Sequence, residues 1–289
     1  MSTQPALKTL YDEPGPRGKA LNVIISGICL AGVIAGILWI VSALQAKGQL
    51  APEKWQPFLT ADMWRTYLLP GVVGTLQAAG LAVVLATVLG ILLGVGRMSQ
   101  VKAVSYSCAA VVEFFRAMPL LILMIFCFQV FANYALFPST QMAMAAVVTG
   151  LTLCNGAVIA EIVRAGVHSL PRGQSEASMA LGLSGGQMMR IILLPQAITA
   201  MLPPIVSQLV VALKDTALGY QITYVEAVRQ GVQAGSAYSN YIPALLVVAA
   251  VMIAINFALS QLAVTVENRL RKGRKTAIVK RDEVAVPQL

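Results

Sequence analysis

Apolar and polar positions in this chain alternate in long blocks rather than residue by residue. Residues 22–44, 69–95, 103–131, 141–164, 198–213 and 243–266 are predominantly apolar, and polar stretches separate them. Helix needs about 20 apolar residues to cross the hydrocarbon of a bilayer, so the blocks predict six transmembrane helices. The first block is longer than the roughly 7 to 15 apolar residues of a signal peptide, which predicts a retained span. Residues 1–21, with Pro5, Pro14 and Pro16, predict a disordered tail, and residues 45–69 a loop whose Trp55 and Trp64 suit a membrane interface. In the second block, Gly90 and Gly94 are spaced for close approach of a neighbouring backbone, with packing inside the chain as the expected use. The third block contains Pro119, and the fifth has Pro203 and Pro204 near its start. From Lys214 to Tyr241 charged residues punctuate short apolar pieces, which predicts a broken helix, a turn and a short surface helix. Residues 269–289 form a basic tail.

The most informative polar interruption lies between the fourth and fifth blocks. Gln174 to Leu181 is compatible with a short helix, and Gly182 is a break. Ser184 stands three residues before Gln187, the spacing of a capping box, and so starts a second helix running toward Pro195. A short helix between two membrane spans has nothing to pack against in its own layer. It needs a partner in the water phase.

Composition agrees with the pattern. The chain is 57% hydrophobic and 11% charged, with mean hydropathy +0.75, against roughly 25% charged residues in a soluble domain. The net charge of +9 is no nucleic-acid signal, because the basic residues sit in loops and tails. The N-terminal tail, residues 97–116, residues 164–190 and the C-terminal tail hold 16 of the 21 basic residues. The positive-inside rule then puts both termini and the 174–195 stretch in the cytoplasm. Cys29, Cys108, Cys127 and Cys154 all lie inside apolar runs without paired spacing, as small packing residues would. His168 is the only histidine and reads as loop surface.

Ionisable residues inside spans are functional candidates because they are costly in hydrocarbon. Glu113 and Arg116 are three residues apart, as are Glu161 and Arg164, so each pair shares a helix face. Lys214 and Asp215 follow the fifth span. Leu183 to Gln187 spells LSGGQ, a signature of nucleotide-hydrolysing subunits. The chain has no Gly-Lys-Ser/Thr phosphate loop and no soluble region long enough for a nucleotide-binding fold, so the pentapeptide reads as a break, a cap and a first turn.

Glu176-Ala177-Ser178, then Gly182, then Ile192 and Leu194-Pro195 resemble the EAA loop of ATP-binding-cassette (ABC) importer permeases, with Ser178 in place of the second Ala. Arg116-Ala-Met-Pro119, the Glu161-to-Gly166 segment, Lys214-Asp215-Thr216-Ala217-Leu218 and Gly74-Thr75-Leu76 are similar to segments of the polar amino acid branch, of the histidine, glutamine and glutamate type. The resemblance covers about Pro70 to Arg269. It implies an all-α polytopic fold: a five-helix type I importer core over 70–268, a coupling helix within the cytoplasmic loop 173–195, and an added N-terminal helix at 22–44.

Further implications belong to that resemblance alone. Glu176, Ala177, Ser178, Gly182, Leu194 and Pro195 would couple the spans to a separate ATPase. Gly182 and Gly173 would make the sharp turns around the coupling helix, and Glu176 near its N-terminus would suit the helix dipole. Glu113, Arg116, Glu161, Arg164, Lys214, Asp215 and Thr216 would be candidates for the substrate path, with Lys214 as a substrate-facing cation. The partners would be a second copy or a related permease, two ATPase subunits carrying ATP and Mg, and an extracytoplasmic substrate-binding protein. This chain would bind no cofactor, metal or nucleic acid. The substrate would be a polar amino acid, glutamate first. An ion-driven secondary transporter or channel is the other reading. It would show an inverted repeat with matching broken helices, and the sequence shows none.

Overall fold

Backbone groups in hydrocarbon must find partners within their own segment, which favours helices. Among residues 15–284, the part of the computed structural model described here, every regular element is helical. The chain divides into two units, residues 1–56 and 57–289. The first contains α1 (Pro16–Ala46) and a turn of helix at Pro52–Trp55. None of α1's residues is buried and it is apolar all round, as a helix solvated by lipid should be. Helix thus begins within the expected tail of 1–21, because Pro16 is suited to a first helical position. Residues 1–14 of that tail lie outside the described residues. Cys29 is exposed rather than packed.

The second unit comprises α2 (Ala61–Arg97), α3 (Lys102–Ala117), α4 (Leu120–Asn133), α5 (Ser139–His168), α6 (Arg172–Ala180), α7 (Gly185–Ala200), α8 (Leu202–Asp215) with a 3-10 extension Thr216–Ile222, α9 (Ala227–Ala237) and α10 (Tyr241–Val284). Helices α1, α2, α5 and the Tyr241–Leu262 part of α10 are each long and apolar enough to cross a membrane. The bent pairs α3–α4 and α7–α8 would each add one crossing.

The third expected span is therefore not one helix: α3 and α4 meet at 104°. Pro119 has no N–H to continue the ladder, and it forces Met118 into extended backbone (ψ 129). The fifth is also broken, by 59°, where Pro203 and Pro204 start a new helix because they are tolerated only in a first turn. The second starts earlier than expected, at Ala61, and shortens the 45–69 loop. A π turn, Trp64–Leu68, absorbs Pro70 without ending the helix, and a second π turn, Met189–Leu193, does the same before Pro195. The basic 269–289 stretch continues α10 as helix to Val284. Its last five residues lie outside the described ones.

The centre of the unit is the seam between α2 and α5, which run parallel. Every buried residue of α2 from Gly71 onward is Gly, Ala or Thr. A methyl group added at Gly90 would sit 2.6 Å from Ile159 Cγ2, and one at Gly94 2.9 Å from the Ala160 carbonyl oxygen. From the other side, Gly156 faces Leu89. The Gly90/Gly94 pair is thus used inside the chain, where small residues let the backbones approach closely. At the opposite end of α2, Gly74 leaves room for the Val225 carbonyl, and its own carbonyl accepts the Tyr224 hydroxyl at 2.7 Å. The Thr75 hydroxyl accepts the Ala227 N–H at 3.1 Å. Buried Glu226 caps α9, accepting the Val228 and Arg229 N–H groups at 2.7 and 2.6 Å. The Gly-Thr pair in the sequence is therefore a clamp on the turn before α9.

Candidate functional site: an exposed short helix and a charged cavity

The stretch after α5 folds as its residues dictate. At the end of α6 the Leu183 N–H reaches the Ser178 carbonyl and the Gly182 N–H reaches that of Met179, a Schellman turn that needs the left-handed backbone of Gly182 (φ +75). Ser184 then caps α7: its hydroxyl accepts the Gln187 N–H at 3.4 Å, and its own N–H donates to Gln187 Oε1 at 2.9 Å. The Gln196 amide donates to Gln174 Oε1 at 3.2 Å and so ties α7 back to α6. Leu194 and Pro195 lie in α7 just past its π turn.

Two sequence expectations here are corrected. Helix α6 starts at Arg172, so Gly173 lies inside it and makes no turn, and Pro171 precedes the helix instead. Glu176 consequently sits beyond the first turn, where the helix dipole has little effect. It is exposed and makes no hydrogen bond or ion pair among the described residues. Met179 and Leu181 are 59% and 79% exposed, and Ala177 is open as well. Ser178 points the other way: it is buried and its hydroxyl donates to the Gln174 carbonyl at 2.6 Å. The departure from Ala at this position thus falls on the inner face of α6, away from the exposed one.

The four charged residues paired by sequence spacing come together, with a fifth that spacing could not supply. Arg97, the last residue of α2, donates to Glu161 on α5 at 2.7 Å and to Glu113 on α3 at 3.1 Å. Arg164 also holds Glu161, at 2.6 Å. Arg116 stands farther off, 3.6 Å from Glu113 and 3.8 Å from Glu161. The local Glu161–Arg164 pair is therefore real, whereas the Glu113–Arg116 pair is loose and Arg97 takes its place. Arg97 reads in sequence only as the basic end of a span. Its role depends on the small-residue seam that brings the end of α2 against α5.

Arg116 also lines an open cavity of about 160 Å3 with Asp215, Asn155, Gln208 and Cys154. Asn155 donates to the Leu151 carbonyl at 2.8 Å and accepts the Gln208 amide at 2.6 Å, which fixes both amides in the wall. The cavity thus offers a guanidinium with donors to spare, a carboxylate and two oriented amides. Those groups can hold a small molecule that carries both charges. Thr216 is buried and donates to the Leu213 carbonyl at 2.7 Å, and Lys214 is exposed and does not line this cavity. Asn155 and Gln208 were invisible in sequence, as uncharged residues within apolar runs.

Residues 86–272 match the family described as binding-protein-dependent transport system inner membrane component. The chain belongs to that family. This permease is 54% identical to the glutamate transport system permease protein GluD of Corynebacterium glutamicum, over 80% of its own length and 85% of that protein's. It is 30% identical to the glutamate/aspartate import permease protein GltK of Escherichia coli O6:H1, over 70% and 93%. The crystal structure of an amino acid ABC transporter with histidines contains a chain that superposes on the permease with a TM-score of 0.66. The two are 27% identical, and the match covers 73% of the permease and 98% of the other chain. The fold is that of the type I ABC importer permeases.

Proposed function

We propose that this permease is the membrane-spanning subunit of an ABC importer that carries glutamate, or a close relative such as glutamine or aspartate, into the cell. The observation that carries the reading is α6: a short helix held by a Schellman turn and a capping box, with Glu176, Ala177, Met179 and Leu181 on its open face. The exposed Met179 and Leu181 side chains, on an otherwise polar helix, would suit a protein contact. The partner would be one of two ATPase subunits, each binding ATP with Mg, so that this chain hydrolyses nothing itself. A second permease and an extracytoplasmic binding protein complete the assembly. Closure of the ATPase pair would move α6 and, through α7, the spans as rigid bodies. The distribution of basic residues supports a plasma (inner) membrane protein with cytoplasmic termini and α6 on the same side.

The cavity supports the substrate class. Arg116 suits a carboxylate, Asp215 suits the ammonium, and the Asn155–Gln208 amides suit a polar side chain. The glutamate transport named for the 54%-identical relative agrees with this chemistry. The experiment is uptake of labelled glutamate into vesicles reconstituted with the permease, the ATPase and the binding protein. Uptake should require ATP. Replacing Glu176 by Ala should leave assembly of the spans intact while weakening transport per ATP consumed. Full-rate uptake in vesicles that lack any ATPase would overturn the importer reading.

A further inference from the structure

Three guanidinium groups share two carboxylates where α2, α3 and α5 meet, so one positive charge is left over. The distances say which residue carries it. Glu161 is taken by Arg97 at 2.7 Å and by Arg164 at 2.6 Å, and Glu113 is taken by Arg97 at 3.1 Å. Arg116 is left at 3.6 and 3.8 Å, beyond hydrogen-bond length from either carboxylate. It is also the member of the cluster that lines the cavity. Arg97 is the most sheltered, with a side chain 12% exposed, and it spans both carboxylates, so its position is the best determined of the three.

We infer that Arg97 is a positioning residue for substrate. By occupying Glu113 and Glu161 it keeps the Arg116 guanidinium unclaimed, and so available to the carboxylate of an amino acid in the cavity. Without Arg97, Glu113 and half of Glu161 would lack their short partner. Arg116 stands close enough to close on both, since charge-assisted pairs shorten where geometry allows. A substrate carboxylate would then compete with two fixed protein carboxylates. Arg97 itself touches no substrate and acts through the ion pairs alone. This rests on the reading of the cavity as the substrate site.

The test measures binding of labelled L-glutamate to the purified permease–ATPase complex without the binding protein, alongside uptake in the complete system. Arg116→Ala establishes whether the cavity matters. Unchanged glutamate affinity in that variant would sink the cavity reading and this inference with it. If Arg116→Ala weakens binding, Arg97→Ala should weaken it too, by about tenfold, the loss of one charge-assisted contact. Arg97→Ala combined with Glu113→Gln should recover affinity, because it restores one guanidinium in excess. A purely structural role for Arg97 predicts no recovery, since the double variant is further from the native set of contacts. Glu113→Gln alone changes a largely exposed side chain and should fold; it should bind glutamate at least as tightly as the unaltered complex, because it releases Arg116 further. Weaker binding in Glu113→Gln, or failure of Glu113→Gln to rescue Arg97→Ala, would overturn the inference while leaving the cavity reading in place.

Discussion

The α2–α5 seam and the α6–α7 segment both depend on glycine, and for opposite reasons. Along the seam, Gly90, Gly94 and Gly156 are places where a neighbouring helix occupies the volume of the missing side chain. In the α6–α7 segment, a side chain at Gly173, Gly182 or Gly186 would meet nothing within 4 Å. Of these three only Gly182 is required, by its positive φ; a methyl group at Gly185 would meet the movable end of the Gln100 side chain. The seam is therefore a finished interface within the chain. The segment is shaped but open on one side: its turns and caps are complete and Leu193 and Ala197 of α7 are buried, yet Met179 and Leu181 at α6 face outward. The coupling role proposed for this segment would need that combination, rigidity at one end and openness to a partner at the other.

The largest expected effect on transport lies on the open side. Replacing Met179 and Leu181 together by Glu puts two charges where an apolar partner face is proposed. ATP-dependent uptake should fall at least about tenfold, equivalent to about 1.4 kcal/mol of lost coupling, and the ATPase should no longer co-purify. The melting temperature of the permease alone should not move, because neither side chain is buried. A lowered melting temperature would show that α6 is part of the packed interior, and the contrast between the two regions would fail.

The seam should answer to stability instead. Gly90→Ala pushes a methyl group into Ile159 and the Gly156 carbonyl and should cost about 1–3 kcal/mol, the usual range for overpacking. Gly186→Ala adds the same methyl group to open space inside a helix. It should leave stability unchanged or raise it by up to about 1 kcal/mol, the difference in helix propensity. Thermal unfolding in detergent reads both. Equal shifts would show that the seam can relax and that its glycines are not packing determinants.

The seam and the segment also differ in how far the sequence alone announced them. Signals confined to a few residues were legible: the Gly182 break, the Ser184–Gln187 box and the small-residue spacing of α2 each specify one local geometry. The bends at Pro119 and Pro203 were legible as prolines but not as angles, because how far a helix turns depends on what the next one packs against. Arg97, Asn155 and Gln208 could not be found, since their roles exist only after α2, α3, α5 and α8 have met. Helix α6 starts two residues before the expected Gln174, because Pro171 and not Gly173 sets its first turn. That earlier start places Glu176 in the second turn of the helix rather than the first.

The caps of α7 and α9 bring the comparison down to single residues. Ser184 is exposed, and its bond from the Gln187 N–H is long at 3.4 Å, whereas Glu226 is 1% exposed and holds two N–H groups. Glu226→Ala should therefore cost about 2 kcal/mol or more, since it strands sheltered donors. Ser184→Ala should cost about 1 kcal/mol or less, because water can replace the cap. Chemical denaturation of the two variants gives the ratio, and similar costs would mean that the turn before α9 is open to water.

The smallest effect expected is in pH dependence, and its sign separates the same two caps. Burial holds the Glu226 carboxyl above its ordinary value of 4.5, and this outweighs the two backbone N–H groups and the Arg229 charge, which favour the carboxylate. The folded protein then binds that proton more tightly than the unfolded chain does. The stability tied to Glu226 is thus fully present below the ordinary value and is lost as pH rises through the raised one. Melting temperature measured from acid to neutral pH should fall across that window, and the fall should vanish in Glu226→Ala. The Ser184→Ala variant has no titrating group at its cap and should keep the wild-type slope. If melting instead rose with pH through that window, the carboxylate would be the form the fold prefers. The turn clamped by Gly74 and Thr75 would then be as hydrated as the segment around Gly182.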